Sequence, residues 1–225
     1  MESGSSDLTT MVAGLGCADI VDAMGRLHQH RAHIVGMTSP TPGRVLFGPA
    51  ATITFLPYRD DFTEAAALGF AGWFYRAVGP DPRGLVLVLS SGGYPEVSHG
   101  GGTKLSRVDN HALAGVLADG RLRDFNELAG YRFATWCRGE ATRWGGDTVL
   151  PCAANLPVEV GGVTVAPGDF VFADRSGAVV IPAPSVRDVL AEARRVQADD
   201  QRFLAEIRTE DPAALARGGH QSEQR

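Results

Sequence analysis

The stretch GVLADGRLRDFNE, residues 115–127, decides how the rest of the chain is interpreted. It begins with a short apolar run that is typical of a buried strand, and an Asp-Gly pair then indicates a turn. Charged side chains follow the turn at Arg123, Asp124 and Glu127. Because α/β proteins bind ligands in crevices just beyond the ends of buried strands, the stretch predicts an α/β fold with a ligand site at its charged end.

These charged residues have the chemistry to bind a small acid and a metal ion. Arg123 offers a planar, two-point grip for a carboxylate. Asp124 and Glu127 offer hard oxygen ligands suited to Mg²⁺ or Mn²⁺, and their spacing would place them on one face of a helix. The alternative is an ordinary solvated ion pair on the first turn of a surface helix.

Length and composition limit the class of protein. A chain of 225 residues can form a sizeable core, and no repeat or internal linker divides it, so we expect one domain over residues 1–225. Its polar ends, residues 1–8 and 217–225, are expected to be disordered tails. The net charge of -5 argues against nucleic acid or an anionic membrane as the main partner.

Cysteine usage and the N-terminus indicate the compartment. Cys17, Cys137 and Cys152 lie far apart and are odd in number, which excludes a CxxC metal or redox site and argues against a disulfide framework. The first residues lack the basic and apolar regions of a signal peptide, and no apolar run approaches the length of a membrane span. We therefore expect a cytoplasmic protein.

Apolar spacing and turn residues predict the elements of the fold. Gly14 and Gly16 split the first apolar segment into two helices. Around Gly48-Pro49 the pattern indicates a strand, a bend and a second strand, and residues 143–150 are expected to form a loop. The other predicted helices are residues 63–78, 103–111 and 186–207, and the other predicted strands are residues 85–89, 131–138, 158–160, 163–165, 170–174 and 178–181.

Two further patterns are candidates for ligand binding. The segment SSGGYPEVSHGGG, residues 90–102, contains five glycines, which let backbone N–H groups turn inward onto an anion. A flexible surface loop would have the same composition. His28, His30 and His33 form a cluster that can in principle bind a metal, and a loop of exposed histidines is the alternative.

Four segments together resemble the family of the regulator of ribonuclease activity A and the class II 4-hydroxy-4-methyl-2-oxoglutarate/4-carboxy-4-hydroxy-2-oxoadipate aldolases. They are VLFGPAAT at 45–52, GVLADGRLRD at 115–124, VGGVTVAPGD at 160–169 and ADRSGAVVIP at 173–182. The similarity spans roughly residues 12–207. The resemblance implies an α/β/β sandwich with a swivelling-domain-like β-barrel core, assembled as a homotrimer or homohexamer.

The same resemblance implies roles for individual residues. In the aldolase branch, the Asp of the Arg-Asp pair binds a divalent metal and the Arg binds an α-keto acid. Here this makes Arg123 the carboxylate ligand and Asp124 the ligand of Mg²⁺ or Mn²⁺, with Glu127 as a further metal ligand. An acidic residue on the last helix of a neighbouring subunit completes the family's site. Asp200 lies at roughly that position, with Asp199 as the second choice and a solvated helix charge as the alternative. The glycine-rich loop would hold substrate oxygens through Gly93, Gly100, Gly101 and Gly102.

One position departs from the aldolase pattern. The aldolases carry an acidic residue, implicated in proton transfer, twenty-one positions before the Arg, and Gly102 stands there in this chain. The resulting pattern, G-x20-R-D-x2-E, resembles the ribonuclease-regulator branch, which is described as lacking aldolase activity. His99 or Glu96 could supply the missing proton relay, and His99 is our candidate catalytic residue beside Arg123 and Asp124.

Two classes of function therefore remain open. The first is a metal-dependent lyase that cleaves or decarboxylates an α-keto acid through a pyruvate-type enolate, with a related isomerisation or dehydration as a variant. The second is a non-catalytic binding protein of the regulator type. The expected partners are the α-keto acid and further copies of the chain, with no nucleic acid and no membrane.

Overall fold

The computed structural model describes the backbone of residues 2–213 and the side chains from Asp7 onward. The predicted tail at residues 217–225 lies outside this range. No helix between residues 2 and 213 is long and apolar enough to cross a bilayer. The helices are α1 (Glu2–Val12), α2 (Cys17–Leu27), α3 (Thr63–Val78), α4 (Gly102–Asn110), α5 (Phe125–Gly130) and α6 (Val186–Ile207).

Short strands make up most of the remaining regular structure. They are β1 (His33–Ile34), β2 (Leu46–Pro57), β3 (Val86–Leu89), β4 (Ser98–Gly100), β5 (Gly115–Ala118), β6 (Arg121–Leu122), β7 (Ala134–Trp136), β8 (Val149–Ala154), β9 (Val158–Val160), β10 (Val163–Val165), β11 (Phe170–Asp174) and β12 (Gly177–Ile181).

One mixed sheet organises the molecule. Its strand order is β1-β12-β11-β2-β3-β5-β7, and β8 pairs with β2. The neighbours β2, β3, β5 and β7 are parallel, whereas β11 and β12 run antiparallel to their neighbours. Because parallel strands end at the same edge of a sheet, the segments that follow β3, β5 and β7 emerge side by side.

Alternation along the central strands separates two cores. Leu87 and Leu89 face a layer made by α3, α4 and α5, which contributes Phe74 and Leu105. Val86 and Val88 on the same strand face the β9–β10 hairpin. The resulting order of helix layer, sheet and hairpin confirms the predicted α/β fold and its α/β/β layering.

A third core joins the two ends of the chain. Phe172 and Val179, on β11 and β12, pack with Ile20 of α2 and Val189 of α6. The predicted division of the first apolar segment is confirmed, because α1 ends at Val12, α2 begins at Cys17, and Gly14 between them has a φ of 78°. The predicted helix over residues 186–207 has the same bounds in the structure.

The N-terminal segment differs from the prediction. Residues 1–8 were expected to be a disordered tail, but α1 begins at Glu2. Leu8 and Val12 are buried in the core shared with α6, and the Arg194 guanidinium donates to the Met11 carbonyl at 3.0 Å. Contacts between distant parts of the chain thus stabilise a helix whose polar sequence does not predict it.

Two strand predictions were also wrong. The structure has a continuous β2 where a bend was predicted at Gly48-Pro49. Gly48 is needed there because a Cβ atom would lie 2.2 Å from the Gly84 carbonyl oxygen, and Pro49 is paired with Phe170 within the ladder. The strand β8, which starts inside the predicted loop at residues 143–150, was not predicted at all.

Candidate functional site

A small two-stranded sheet beyond the edge of the main sheet brings the glycine-rich segment to the charged stretch. β4 and β6 pair in parallel, with Ser98 opposite Arg121 and Gly100 opposite Leu122. The Arg123 backbone N–H then donates to the Gly100 carbonyl at 2.9 Å. Two segments that the sequence singled out independently therefore form one site.

An open cleft lies between these segments. Trp144 is half exposed at its rim. The cleft is lined by Ser98, Gly100, Gly101, Thr103, Lys104, Arg123, Asp124 and Trp144.

Asp124 is held in an uncommon backbone conformation at the start of α5. Its φ and ψ are 63° and 46°, in the left-handed region that Asp and Asn tolerate better than most residues. Its Oδ2 accepts the Gly102 N–H at 3.0 Å. Strained residues of this kind concentrate at ligand sites, and here the strain directs a carboxylate to the N-terminus of α4.

The N-terminus of α4 also offers donors to an anion. The Thr103 and Lys104 N–H groups have no acceptor within residues 2–213. Such unpaired N–H groups, together with the helix dipole, favour a negatively charged ligand. The predicted role of the loop in binding an anion stays a prediction, but the donors lie where it requires them.

Gly102 and Glu127 fit each other sterically. A Cβ atom on Gly102 would lie 2.0 Å from Oε2 of Glu127, so the Glu127 carboxylate occupies the space that a side chain at position 102 would need. The Tyr131 hydroxyl lies 2.9 Å from Glu127 Oε1 and 3.1 Å from the Gly102 carbonyl oxygen. Burial and the adjacent Glu127 carboxylate raise the pKa of Tyr131. An acidic group is thus present beside position 102, although it comes from α5.

Arg123 lines the cleft with its side chain half-buried. No carboxylate between residues 2 and 213 forms an ion pair with it, although nine other ion pairs occur in that range. An arginine of this kind, half-buried and without a counter-charge, is suited to binding the carboxylate of a ligand.

His99 faces away from the cleft. Its ring is buried, packs edge-on against Phe55 at 4.7 Å, and has Nε2 and Nδ1 at 2.8 and 3.0 Å from the Ser91 and Val97 carbonyl oxygens. Burial lowers its pKa. A Cβ atom on Gly120 would lie 1.9 Å from Nδ1, so the ring is closely enclosed. In this arrangement His99 fixes the glycine-rich segment and does not reach the cleft.

The other predicted site residues divide between the cleft and the rest of the molecule. Gly100 and Gly101 line it, whereas Gly93 does not, and Glu96 forms an ion pair with Arg121. Asp200 does not line the cleft either, since it lies on α6, which packs against α1 and α2.

Metal-binding groups are sparse within a single chain. Among residues 2–213, no three His, Cys, Asp or Glu side chains come close enough together to hold a metal ion. His28, His30 and His33 therefore do not form a metal site in this structure. Asp124, Glu127 and Asp200 do not converge within one chain either.

Three cleft residues lie outside the two stretches, residues 90–102 and 115–127, that the sequence singled out. Thr103 and Lys104 follow Gly102 on the first turn of α4, and Trp144 lies in the segment expected to be a loop. The signal for Lys104 was its position two residues after a glycine that the family pattern already marked. No comparable signal identifies Trp144.

Comparisons with known proteins place this site in context. A family model described as RraA-like: Aldolase/RraA matches residues 17–180. Protein DlpA of Legionella pneumophila is 24% identical over 207 residues, or 92% of this chain and 32% of that protein. A Halalkalibacterium halodurans protein named "Putative 4-hydroxy-4-methyl-2-oxoglutarate aldolase" is 31% identical over 118 residues, or 52% of this chain and 56% of that protein. The match thus spans less than two thirds of either relative.

One solved structure extends the comparison to nearly the whole fold. Streptomyces coelicolor RraAS2, described as an unusual member of the RNase ES inhibitor RraA protein family, has a TM-score of 0.75 and 26% identity to this chain. The alignment covers 90% of this chain and 98% of that chain. The fold is therefore shared over most of this chain.

Proposed function

Because this chain belongs to the RraA-like family, we propose that it is a divalent-metal-dependent lyase that acts on an α-keto acid. One observation carries the proposal: the unpaired Arg123 guanidinium and the Asp124 carboxylate line the same small cleft, at the N-terminus of α4. This arrangement provides a cation for a substrate carboxylate and hard oxygens for a metal, next to donors for developing negative charge.

The carboxylate ligands present here suit Mg²⁺ or Mn²⁺ better than a metal ion whose ligands must all come from the protein. Asp124 would hold the ion, with Glu127 as a second carboxylate, and both supply the oxygen ligands that these ions prefer. Mg²⁺ commonly uses one or two carboxylates and completes its shell with water and substrate, so the absence of a three-residue cluster within residues 2–213 agrees with it. When bound, such an ion polarises the keto oxygen.

The protein's own groups would bind and orient the substrate. Arg123 binds the carboxylate next to the keto group in a two-point contact. Cleavage of the bond between C3 and C4 releases the far fragment as a carbonyl compound, with loss of the 4-hydroxyl proton, or as CO₂, and leaves a pyruvate-type enolate that takes up a proton at C3. The negative charge of this enolate is stabilised by Arg123 and by the N–H groups of Thr103 and Lys104. Glu127 supplies the carboxylate that the aldolase pattern would have at position 102.

The direct test is a coupled assay for pyruvate release. Oxaloacetate and 4-hydroxy-2-oxo acids are offered in turn with Mg²⁺, with Mn²⁺ and with EDTA. We expect pyruvate from at least one substrate, with the rate abolished by EDTA and restored by added metal. No release from any of them, or a rate that EDTA does not change, would contradict the proposal.

A second candidate function is a non-catalytic regulator. Gly102 favours it, since the aldolase pattern has an acidic residue there, and so does the similarity to RraAS2. This alternative predicts inhibition of an RNase E-type ribonuclease at stoichiometric concentrations with no pyruvate release. The same preparation can be tested in both assays, so the two functions are separable.

We also propose that the site is completed between subunits. Asp200 lies on α6 and does not line the cleft of its own chain, and the family pattern that the sequence resembles puts an acidic residue of this helix at a neighbour's site. Asp200→Ala should then lose activity while keeping fold and assembly, and co-expression with inactive Arg123→Ala should restore part of it. No recovery in mixed oligomers verified by light scattering, or a monomer at micromolar concentration, would contradict the shared site.

A further inference from the structure

The start of α5 is capped by a carboxylate from a distant part of the chain. An Asp that immediately precedes a helix ordinarily accepts N–H groups of that same helix. Asp124 occupies this position before α5 but makes no such bond, because its Oδ2 accepts the Gly102 N–H on α4 instead. The first N–H of α5, on Phe125, donates to Oε1 of Glu140 at 2.9 Å. Glu140 therefore supplies the carboxylate that Asp124 withholds from its own helix.

The backbone of Glu140 is fixed against β6. The Leu122 N–H donates to the Gly139 carbonyl at 3.0 Å, and the Ala141 N–H donates to the Leu122 carbonyl at 2.9 Å. Arg121 Nη1 also donates to the Glu140 carbonyl, at 3.3 Å. Because β6 ends immediately before the Arg-Asp pair, the same pairing holds Glu140 and the metal-binding stretch in a constant relation.

The Asp124 carboxylate has two places where it can accept N–H groups. In the structure it lies against α4, where a Cβ atom on Gly101 would be only 2.6 Å from its Oδ2. The other place is the start of α5, which an Asp in this position ordinarily caps from an extended backbone. Turning back to α5 would also release Asp124 from its left-handed conformation, which is unfavourable for a residue with a side chain.

The exposed side chain of Glu140 does not line the cleft. Any effect on a ligand there must therefore act through a neighbour. The contact with Phe125 identifies this neighbour as Asp124, which precedes Phe125 in the chain. With its first N–H satisfied by Glu140, α5 has less to gain from the Asp124 carboxylate, which favours the conformation directed into the cleft.

We propose that Glu140 is a positioning residue, which accepts the Phe125 N–H and thereby keeps the Asp124 carboxylate directed into the cleft. The inference rests on the proposed function, in which Asp124 holds a divalent metal. Glu140 lies outside the motif that carries Arg123, Asp124 and Glu127. The metal affinity of the cleft then depends on a hydrogen bond made by a residue that does not touch the metal.

Three substitutions at position 140 separate the hydrogen bond from the charge, with Mn²⁺ affinity measured by calorimetry on the full chain. Glu140→Ala removes the acceptor, and Glu140→Asp keeps the charge but shortens the side chain. Both should weaken Mn²⁺ binding by about tenfold or more, as is usual when a group that orients a metal ligand is lost. Glu140→Gln keeps the length and an acceptor oxygen, so it should bind Mn²⁺ nearly as wild type does.

Glu159→Ala is the matched control. Glu159 is also an exposed glutamate that accepts a backbone N–H, from Gly162 in the turn between β9 and β10, and it does not line the cleft. Its removal should leave Mn²⁺ affinity unchanged. Circular dichroism verifies the fold of each variant, and Glu140→Asp provides the test if Glu140→Ala does not fold.

Amide hydrogen exchange of the metal-free protein, followed by NMR, locates the Asp124 carboxylate directly. In Glu140→Ala and Glu140→Asp the Gly102 N–H should exchange faster than in wild type, because Asp124 no longer accepts it. In Glu140→Gln and in the Glu159→Ala control its exchange should stay slow. A residue that merely stabilised α5 would change the exchange of Phe125 and leave that of Gly102 as it is in wild type.

The Gly102 exchange decides the proposal. Wild-type exchange in the folded Glu140→Ala or Glu140→Asp protein would overturn it, and so would a Glu140→Gln protein as defective as Glu140→Ala, because the charge and not the hydrogen bond would then matter. This measurement needs no metal. A wild-type protein that binds no Mn²⁺ would therefore count against the proposed function, while faster Gly102 exchange in the variants would still support the assignment of Glu140.

Discussion

The residues that follow β5 contribute to two arginine–aspartate pairs, Asp119 with Arg138 and Arg123 with Asp124. The first pair is joined by an ion pair, whereas the second is not. Asp119, directly after β5, is 5% exposed and accepts from the Arg138 Nη2 at 2.8 Å and from the Gly161 N–H at 3.1 Å. Arg123 and Asp124, a few residues later, line a cleft without forming an ion pair with each other. Identical residue types thus serve structure where their hydrogen bonds are satisfied and suit ligand binding where they are not.

The buried pair also joins segments that are distant in the chain. Arg138 donates to the Val35 carbonyl at 2.9 Å as well as to Asp119. The pair therefore connects the end of β5, the segment after β7, the turn between β9 and β10, and the segment after β1. Asp119 lies four residues before Arg123 in the chain, so the network fixes the backbone from which the charged stretch continues.

The largest effect on stability is expected from Asp119→Ala. It leaves the Arg138 guanidinium largely buried without its counter-charge and removes the acceptor of Gly161, so the free energy of unfolding should fall by about 3–5 kcal/mol. Urea denaturation measures this fall. Asp61→Ala, which breaks the exposed pair with Arg59, is the control and should leave stability nearly unchanged. Equal effects of the two variants would remove the distinction between the pairs.

Asp124→Asn should have a small effect on stability and a large effect on activity, in contrast to the large loss of stability expected for Asp119→Ala. Asn tolerates the left-handed backbone and can still accept the Gly102 N–H, so we expect the free energy of unfolding to change by less than about 1 kcal/mol. The charge needed to bind a metal is lost, and lyase activity should fall by about a hundredfold or more. Calorimetry with Mn²⁺ measures the binding defect. Unchanged Mn²⁺ affinity in a folded Asp124→Asn protein would show that Asp124 is not the ligand.

Arg123→Lys tests whether geometry matters as much as charge. Lysine keeps the positive charge but loses the two-point contact with a carboxylate, so this variant should be nearly as defective as Arg123→Ala. We expect the affinity for oxalate, which mimics the enolate, to fall by about tenfold or more in both. Arg107→Lys, outside the cleft, is the control. Wild-type oxalate affinity in Arg123→Lys would place the substrate carboxylate elsewhere.

The sequence correctly predicted the elements whose buried residues repeat at a regular short spacing. The helix over residues 186–207 was predicted with its correct bounds because Val189, Ala193 and Val196 repeat on one buried face. The strand β8 was missed because it contains Pro151 and depends on pairing with β2, about a hundred residues earlier. The short-range sequence pattern of a segment does not indicate which distant segment it will pair with.

The candidate site shows the same contrast between features that local sequence determines and features that depend on pairing between distant segments. The Arg-Asp pair and the glycines were identifiable from sequence, yet the presence of Lys104 in the cleft depends on the β4–β6 pairing that brings α4 beside Arg123. His99 was placed at the site because it lies between Ser98 and Gly100, which do line the cleft. Successive residues of a strand point to opposite faces, so that position directs the His99 ring into the core.

The smallest expected effect concerns the fit between Gly102 and Glu127. In Gly102→Asp, the new Cβ would lie 2.0 Å from Glu127 Oε2, and a second carboxylate would be added beside the first. Glu127 is a flexible side chain and can move, so the variant should fold, but we expect lyase activity to fall by about tenfold as Glu127 is displaced.

The double variant Gly102→Asp/Glu127→Ala tests whether a carboxylate at position 102 can replace the carboxylate of Glu127 or only collides with it. It supplies a carboxylate from position 102 and removes the one that obstructs it, so it should regain most of the activity that either single change loses. Steady-state rates of wild type, the two single variants and the double variant give the coupling between the two positions. If the losses simply add, Glu127 does not take the place of the acidic residue that Gly102 lacks, and its closeness to Gly102 reflects packing alone.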